Sequence, residues 1–233
     1  RDTIDKNEFT QVSNWMKYKY CNESGITEKE KIKRRIYNIT HTIHHYTGMR
    51  VKELLSTRWS DISDVDRDKK GYGIDKVIHI SADRSKTGTS RDIIAPIANQ
   101  LDTLKKWYSK LGYHVEENST DYIFLKCTNT AIHNNEPKTD VELTKRIKKV
   151  YQGADRDNYI VLNGRNITNY SARHHYITQR LMSGVDIFNV ALNAGTSVKY
   201  IEETYAKSLK TRMVSDEITK GLGVHRTKNR DSV

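Results

Sequence analysis

The stretch spanning residues 170–205 constrains the fold of this chain more than any other part of its sequence. Its apolar and aromatic residues recur at helical spacing, at Tyr170, Tyr176, Ile177 and Leu181. This pattern predicts a helix with one face in the core. Arg173 and His174 interrupt that face, and a cation inside a core helix requires an anion nearby. The stretch therefore predicts a helix that presents a basic cluster to an anion.

Turn and capping signals divide the rest of this stretch into two further helices. Gly184 ends the first helix, and Asp186 caps a second one that runs through Leu192. Ser197 follows a glycine turn and caps a third helix, which carries Tyr205. Short polar side chains before a helix and glycine after it are the usual boundary signals. We therefore predict three consecutive helices with Tyr205 on the last.

The charge of the chain favours a polyanionic partner. Its 233 residues include 40 Lys+Arg and 29 Asp+Glu, which gives a formal net charge of +11. A chain of this length can bury a sizeable core, and such a basic excess is typical of proteins that bind nucleic acid. A basic protein without such a partner is the alternative that charge alone leaves open.

Cysteine content and hydropathy exclude several other classes. Cys21 and Cys127 lie far apart and outside any metal-ligand spacing. They therefore predict neither a disulfide framework nor a zinc site, and they fit a reducing cytoplasm. No apolar run approaches the ~20 residues that span a bilayer, so we expect no membrane segment.

Two helices are predicted at the start of the chain. Asp5 and Glu8 form a capping box. The apolar face of the helix behind it holds Phe9, Val12, Trp15 and Met16. A second helix is predicted over residues 28–46, where isoleucines recur at helical spacing.

Three histidines on the second helix have the spacing that can gather metal ligands on one face. They are His41, His44 and His45. A metal site would need a further ligand, and no acidic residue lies beside them. We therefore interpret them as scaffold or surface residues rather than as a metal site.

A glycine turn delivers one arginine to the start of a short helix. Gly48 precedes Arg50, and Glu53 follows three residues later. A guanidinium at this place lies where an anion can also meet backbone N–H groups. We expect Glu53 to orient or buffer Arg50 rather than to react.

Strand patterns at residues 76–80 and 92–96 bracket a turn-rich segment, residues 85–91. This arrangement predicts a β-hairpin with Lys86 near its tip. A lysine in a turn is ordinarily solvated, but its position between two arginine blocks favours a functional role.

The remaining segments carry weaker signals. We predict a helix over residues 100–111, a short buried strand over 122–125, a polar loop over 126–137 and a basic amphipathic helix over 141–151. The basic residues of that last helix are Lys145, Arg146, Lys148 and Lys149. They form either a DNA-facing side or a solvated face. Residues 213–222 form a final amphipathic stretch.

The order of these blocks resembles the catalytic domain of the tyrosine recombinases, the phage-integrase family. Residues 47–62 are similar to its first block, T-G-x-R-x-s-E-l-l-x-L-r-W-s-D-i, and residues 86–91 to its lysine block, K-T-g-x-x-R. Later blocks stand at residues 170–174 (H-x-x-R-H), 184–186 (G-v-d), 194–197 (L-G-H-s-s) and Tyr205 (the nucleophile). The chain departs from the family at Tyr170 and Thr196, where the family has a histidine and a histidine or tryptophan.

The resemblance implies a fold, a chemistry and a set of site residues. The fold would be mainly α with a small antiparallel β-sheet or hairpin. The chemistry would be cleavage and religation of DNA strands through a 3′-phosphotyrosyl bond, with no metal or other cofactor. The implied catalytic residues are Arg50, Lys86, Tyr170, Arg173, Thr196 and Tyr205, with Glu53 and His174 in support.

Each implied residue has a chemical role. Arg50 and Arg173 would offer planar donor forks to the nonbridging phosphate oxygens. Lys86 would protonate the departing 5′ oxygen. Tyr170 or a water would take the proton of Tyr205, because the usual histidine is missing.

Two positions leave alternatives open. Thr196 would either donate a hydrogen bond to a nonbridging oxygen or cap the following helix. Tyr200 competes with Tyr205 as nucleophile. Five helical residues rotate the two side chains by roughly 140°, so we expect only one of them in the pocket. Ile201 lies one turn before Tyr205, which places Tyr205 on the side of the protein body and favours it.

The resemblance also implies partners and boundaries. We expect double-stranded DNA as the partner, a homotetramer on DNA, a monomer in solution, and accessory DNA-bending proteins in a bacterial cytoplasm. Residues 1–233 would form one catalytic domain, whose tail at about 208–233 packs onto a neighbouring protomer. A core-binding domain would precede residue 1.

The expected function is site-specific recombination that integrates phage or other mobile-element DNA. A chromosome-resolution or transposon recombinase would share the same blocks, so the sequence does not separate these activities. The second alternative belongs to another class, a catalytically decayed member that only binds DNA. Tyr170 and Thr196 would then be signs of decay.

Overall fold

A computed structural model of the chain describes residues 2–65, 75–116 and 119–205. Its helices are α1 (Lys6–Tyr18), α2 (Glu28–Thr47), α3 (Val51–Ser56), α4 (Ala98–Ser109), α5 (Asn129–His133), α6 (Asp140–Arg156), α7 (Asn169–Met182) and α8 (Ile187–Ala194), with short 3₁₀ helices at Tyr20–Asn22 and Trp59–Asp61. Residues 198–205 are also helical. No helix in these ranges combines the length and the apolar composition needed to cross a bilayer.

A three-stranded antiparallel sheet completes the fold. Its strands β1 (Ile62–Asp64), β2 (Lys76–Ile80) and β3 (Arg91–Ala95) lie in the order β1-β2-β3. In the register, Ile78 of β2 pairs with Ile62 and Ile93. The expected class, mainly α with a small antiparallel sheet, is confirmed. Strand β1 was not predicted, because three residues are too few to show a period of two.

The first helices form as their caps and apolar faces predict. The Asp5 carboxylate accepts from the Glu8 N–H at 2.8 Å, and the Glu8 carboxylate accepts from the Asp5 N–H at 3.0 Å. The predicted apolar face of α1 is buried, at Phe9, Val12, Trp15 and Met16. Helix α2 lies centrally, and α1, α4 and α7 pack against it. The C-terminal end of α2 meets the middle of α7, where His175 contacts His45 and Arg173 bonds the Gly48 carbonyl.

Gly48 ends α2 and fixes how closely α7 approaches. Its φ is +62°, in the left-handed region, and its N–H donates to the His44 carbonyl at 3.0 Å. A Cβ at this position would lie 2.4 Å from the Tyr176 ring of α7. Only glycine satisfies both conditions, so the turn before Arg50 can rest directly on α7.

The middle of the chain differs from the sequence prediction in three places. Residues 123–125 are buried, Tyr122 is partly exposed, and the segment forms only isolated bridges rather than a strand. The predicted loop at 126–137 contains α5. Helix α6 extends beyond the predicted 141–151 at both ends. Arg146 does not join its basic neighbours on the exposed side, because it donates to the Tyr20 hydroxyl at 2.7 Å. The tail, including 213–222, lies outside the described residues.

A cluster of buried histidines joins α2 to its neighbours. His41 Nε2 lies 3.1 Å from the Tyr151 hydroxyl, and His44 Nε2 lies 3.0 Å from the Met49 carbonyl oxygen. His45 Nδ1 lies 3.1 Å from Nδ1 of His175 on α7. Of the two interpretations of the α2 histidines, as scaffold or as surface residues, this burial supports the scaffold. Among the described residues, no group of three or more His, Cys, Asp or Glu side chains is arranged to hold a metal ion.

These histidines predict a loss of stability on acidification. Burial lowers the pKa of His41 to about 3 and the pKa of His44 and His175 to about 4. In the unfolded chain an imidazole has a pKa of about 6.5. The unfolded state therefore binds more protons below pH 6.5, and the free energy of unfolding falls as the pH drops. We expect a loss on the order of 1 kcal/mol per histidine between pH 7 and 5.5.

Urea unfolding at the two pH values measures this loss, in an interval where ordinary carboxyl groups do not titrate. Replacing His41 by Gln should reduce the pH dependence by one histidine's share. Replacing the exposed His133 by Gln should leave it unchanged. A free energy of unfolding that does not vary across the interval would contradict neutral burial of the cluster.

Candidate active site

Arg50 is held at the start of α3 by the carboxylate of Glu53. The Arg50 N–H donates to Glu53 Oε2 at 2.9 Å, and Nη1 donates to Oε1 at 3.0 Å. Nη2 donates to the Gly195 carbonyl at 2.6 Å. The Glu53 residue is only 1% exposed. The geometry is that of an orienting carboxylate, as expected for Glu53.

A second arginine shares the same carboxylate. Arg91, the first residue of β3, donates from Nη2 to Glu53 Oε2 at 2.7 Å and from Nη1 to Oε1 at 3.2 Å. Burial raises the pKa of the Glu53 carboxyl, but the bonds from Arg91 and from the Arg50 N–H more than offset it and hold the pKa below its usual value. Glu53 is therefore an anion held between two guanidiniums.

Arg173 is buried in the middle of α7, with 2% of its surface exposed. Its Nη1 donates to the carbonyls of Gly48 at 2.9 Å and Ala194 at 2.5 Å. Burial and the nearby charge of Arg50 lower the pKa of the Arg173 guanidinium. The sequence expectation of a cation inside a core helix is thus met. The direct partners of Arg173 are backbone carbonyls. Arg50 donates to the carbonyl of Gly195, the residue after Ala194.

The hydroxyl of Tyr205 lies against His174. Tyr205 Oη is 2.5 Å from His174 Nδ1, and both residues are buried. The Tyr170 ring packs edge-on against the His174 ring, with 4.8 Å between their centroids. The sequence predicted Tyr170 or a water as acceptor of the Tyr205 proton, and the structure adds His174 as a candidate within hydrogen-bond distance. The reason is that positions 170 and 174 lie one helical turn apart, and the second of them faces Tyr205.

Tyr200 belongs to the same group of rings. Its hydroxyl lies 3.2 Å from the Tyr170 hydroxyl, and Tyr170 in turn contacts His174. The two tyrosine hydroxyls thus contact different residues, Tyr200 against Tyr170 and Tyr205 against His174. A rotation of roughly 140° separates the directions of Tyr200 and Tyr205, and the adjacent rings of Tyr170 and His174 contact one tyrosine each.

The turn before Tyr205 is built from glycine and two hydroxyl residues. Gly195, with φ +65°, ends α8, and the Thr196 N–H closes that end by donating to the Ala191 carbonyl at 3.0 Å. The Ser197 hydroxyl accepts from the Tyr200 N–H at 3.1 Å. Ser197 is thus the helix cap, as predicted. The alternative that the Thr196 side chain caps this helix is wrong.

Lys86 is exposed in the connection between β2 and β3, where the hairpin was predicted. The described contacts bring Arg50, Glu53 and Arg173 to one turn, and they bring Tyr170, His174 and Tyr205 into one cluster. They do not bring Lys86 to either group.

Sequence reasoning gave Arg91 no role and His174 a supporting one, whereas the structure places Arg91 on Glu53 and His174 on the Tyr205 hydroxyl. Arg91 ends the K-T-g-x-x-R block, so the block itself marked it without indicating a role. Its partner Glu53 lies 38 residues earlier in the chain. Periodicity reports only local neighbours, so the contact became visible in the tertiary structure alone.

Three solved structures are similar to this chain, and each shows the fold. The XerH site-specific recombinase bound to a palindromic difH substrate, in a post-cleavage complex, has a TM-score of 0.62 at 14% identity, over 93% of this chain and 52% of its own. The XerA recombinase has a TM-score of 0.56 at 16% identity, over 97% and 65%. The Tn1549 transposon integrase in complex with transposon right end DNA has a TM-score of 0.56 at 11% identity, over 95% and 66%.

This chain thus spans between about half and two thirds of the length of those proteins. No curated protein matches its sequence significantly. The sequence model of the phage integrase family matches residues 5–212, which include every candidate site residue described above. The chain therefore belongs to the phage integrase family, the tyrosine recombinases.

Proposed function

We propose that this chain is the catalytic part of a site-specific DNA recombinase that cleaves and rejoins DNA strands through a phosphotyrosyl bond on Tyr205. The observation that carries the proposal is the 2.5 Å contact between the Tyr205 hydroxyl and His174 Nδ1, one residue from the buried Arg173. Membership of the phage integrase family supports it. Integration of phage or other mobile-element DNA is the function we favour.

The two family arginines supply the counter-charge for a phosphodiester. Arg50 and Arg173 donate to the adjacent carbonyls of Gly195 and Ala194, so their guanidiniums meet at one turn. Burial lowers the pKa of Arg173 most, and repulsion from the neighbouring Arg50 cation lowers it further. A phosphate bound between them removes this repulsion. Negative charge that grows on its oxygens in the transition state strengthens the same interaction.

The proton of Tyr205 goes to His174. A tyrosine hydroxyl is protonated at neutral pH, so it needs an acceptor as it attacks phosphorus. Tyr205 Oη forms the new bond to phosphorus while the bond from phosphorus to the 5′ oxygen breaks. The 5′ oxygen takes a proton from Lys86, which closes over the bound DNA. Attack by another 5′ hydroxyl reverses every step and rejoins the strand.

Tyr170 and Thr196, the two positions that depart from the family pattern, have supporting roles. Tyr170 holds His174 through their ring contact rather than accepting the proton itself. Thr196, freed of a capping role by Ser197, offers its hydroxyl to a nonbridging oxygen. Neither residue needs to be an imidazole once His174 serves as the base.

Duplex DNA is the substrate that the charge and the relatives favour. The net charge is +11, and XerH and the Tn1549 integrase are described in complexes with DNA. Exchange of two duplexes requires four strand cleavages, so we propose a homotetramer on DNA formed from monomers. The tail at about residues 208–233 is the segment we assign to contact between protomers, and accessory DNA-bending proteins would assist.

Tyr205→Phe should abolish the covalent adduct, because it removes only the attacking oxygen. DNA binding should remain as in the parent, since the basic surface and the ring are kept. Tyr200→Phe is the matched control and should still form the adduct. The measurement uses a pool of nicked duplexes with a randomised segment, in which cleavage releases a short fragment and traps the protein on DNA.

Adducts are recovered on a denaturing gel, and the DNA recovered with the parent is sequenced and used as the substrate in later assays. Adduct formation by Tyr205→Phe would refute the assigned nucleophile. If the parent forms no adduct while it binds DNA, the proposed catalysis is wrong and the DNA-binding alternative replaces it.

His174→Asn should slow cleavage by about 10²- to 10⁴-fold, the usual contribution of a general base. Asparagine can still hydrogen-bond Tyr205 from the position of Nδ1, but it cannot take up a proton. The parent should lose activity as the pH falls, and the variant should not follow that profile. Tyr170→Phe should slow cleavage less than His174→Asn does. A His174→Asn variant as fast as the parent in single-turnover cleavage would return the role of base to another group.

Arg173→Lys should lower the cleavage rate by at least about 100-fold, because the charge remains but the planar fork is lost. Affinity for DNA should change little, which a binding titration checks. Arg165→Lys is the control: Arg165 forms a similar fork with Glu8, outside the site. Equal losses in the two variants would show that the effect at Arg173 comes from folding rather than chemistry.

A further inference from the structure

Arg91 is the most buried charged side chain of the hairpin region. Its side chain is 7% exposed, and its two amino groups hold both oxygens of Glu53, which is itself 1% exposed. The same two oxygens accept from the Arg50 N–H and from Arg50 Nη1. One buried carboxylate therefore sets the position of Arg50 and is itself set by Arg91.

Arg91 also contacts the turn that precedes Tyr205. A Cβ on Gly195 would lie 2.4 Å from Arg91 Cζ and 2.5 Å from Nε, so the guanidinium fills the space where a side chain would begin. The carbonyl of Gly195 accepts from Arg50 Nη2. Arg91, Arg50 and Glu53 thus form a closed set of contacts with this turn.

We propose that Arg91 is a positioning residue of the active site, which fixes Glu53, and through it Arg50 and the turn at Gly195, to the hairpin that carries Lys86. This inference rests on the proposed function. We assign positioning rather than direct phosphate binding to Arg91. Its Nε is buried away from solvent, and both of its amino groups donate to Glu53.

Arg91 also keeps Arg50 available to a phosphate. With Arg91 present, two guanidiniums share one carboxylate, so the group retains one positive charge in excess. Without Arg91, Glu53 would neutralise Arg50 completely and would draw its guanidinium toward the carboxylate. Less counter-charge would then remain for the transition state, although the phosphate contacts that give ground-state affinity lie elsewhere on the DNA.

Arg91→Gln should therefore slow single-turnover cleavage by about 10- to 100-fold on the duplex recovered with the parent. The dissociation constant for DNA should stay within about threefold, and the slope of log affinity against log salt should not change. A residue that contacts phosphate would reduce that slope by about one unit. A combined Glu53→Gln, Arg91→Gln variant should be no slower than Glu53→Gln, because both changes remove the same link.

Arg84 provides a matched control in the same connection. Its guanidinium donates to both oxygens of Asp61, at 2.5 and 2.8 Å, its side chain is 17% exposed, and no described hydrogen bond joins it to Glu53 or Arg50. Arg84→Gln should cleave at close to the parent rate. An equal loss in Arg84→Gln would overturn the proposal, because it would indicate general weakening of the sheet.

If Arg91→Gln does not fold, Arg91→Lys replaces it in the cleavage assay, because lysine keeps the charge but lacks the planar fork. It should cleave at an intermediate rate. Parental cleavage by both Arg91 variants, or a reduced salt slope, would overturn the positioning role. Adduct formation by the parent tests the proposed function separately, so the two failures are distinguishable.

Discussion

The buried guanidinium of Arg173 is the interaction on which the rest of this structure depends. It joins the carbonyl of Gly48, at the end of α2, to the carbonyl of Ala194, at the end of α8. A buried charge without partners costs several kcal/mol, so these two chain segments are held against α7. Arg50 follows one of them directly, and Gly195 and Tyr205 follow the other. The Arg173 side chain therefore carries a positive charge and also fixes the positions of the segments that hold Arg50 and Tyr205.

Packing and hydrogen bonding act together on Tyr205, the proposed nucleophile. The Tyr205 ring belongs to a buried apolar cluster with Tyr176, Ile177 and Ile201, and its hydroxyl is directed to His174. Tyr176 is also the ring that rests on Gly48. The Tyr176 ring thus supports both Tyr205, the proposed nucleophile, and the turn before Arg50, which keeps the two at a fixed separation. Because phosphoryl transfer depends on alignment, this common support is what the chemistry requires.

Local signals were sufficient for much of the fold. Capping residues and apolar periodicity predicted α1, the three helices from α7 onward and the hairpin of β2 and β3, because each depends on neighbours within a few residues. Strand β1 and helix α5 were missed since three and five residues leave no measurable period. Arg146 was misplaced because its partner, the Tyr20 hydroxyl, lies 126 residues away.

The sequence by itself determined which groups the site contains: two arginines, an acid three residues after the first, a histidine beside the second, and a tyrosine on a capped helix. These follow from residue types at fixed spacing. Only the tertiary structure decided their pairing, namely Tyr205 with His174, Tyr200 with Tyr170, and Glu53 with both Arg50 and Arg91. The physical reason is that spacing specifies a direction on one helix, whereas a hydrogen bond requires two elements to be packed at a defined distance and angle.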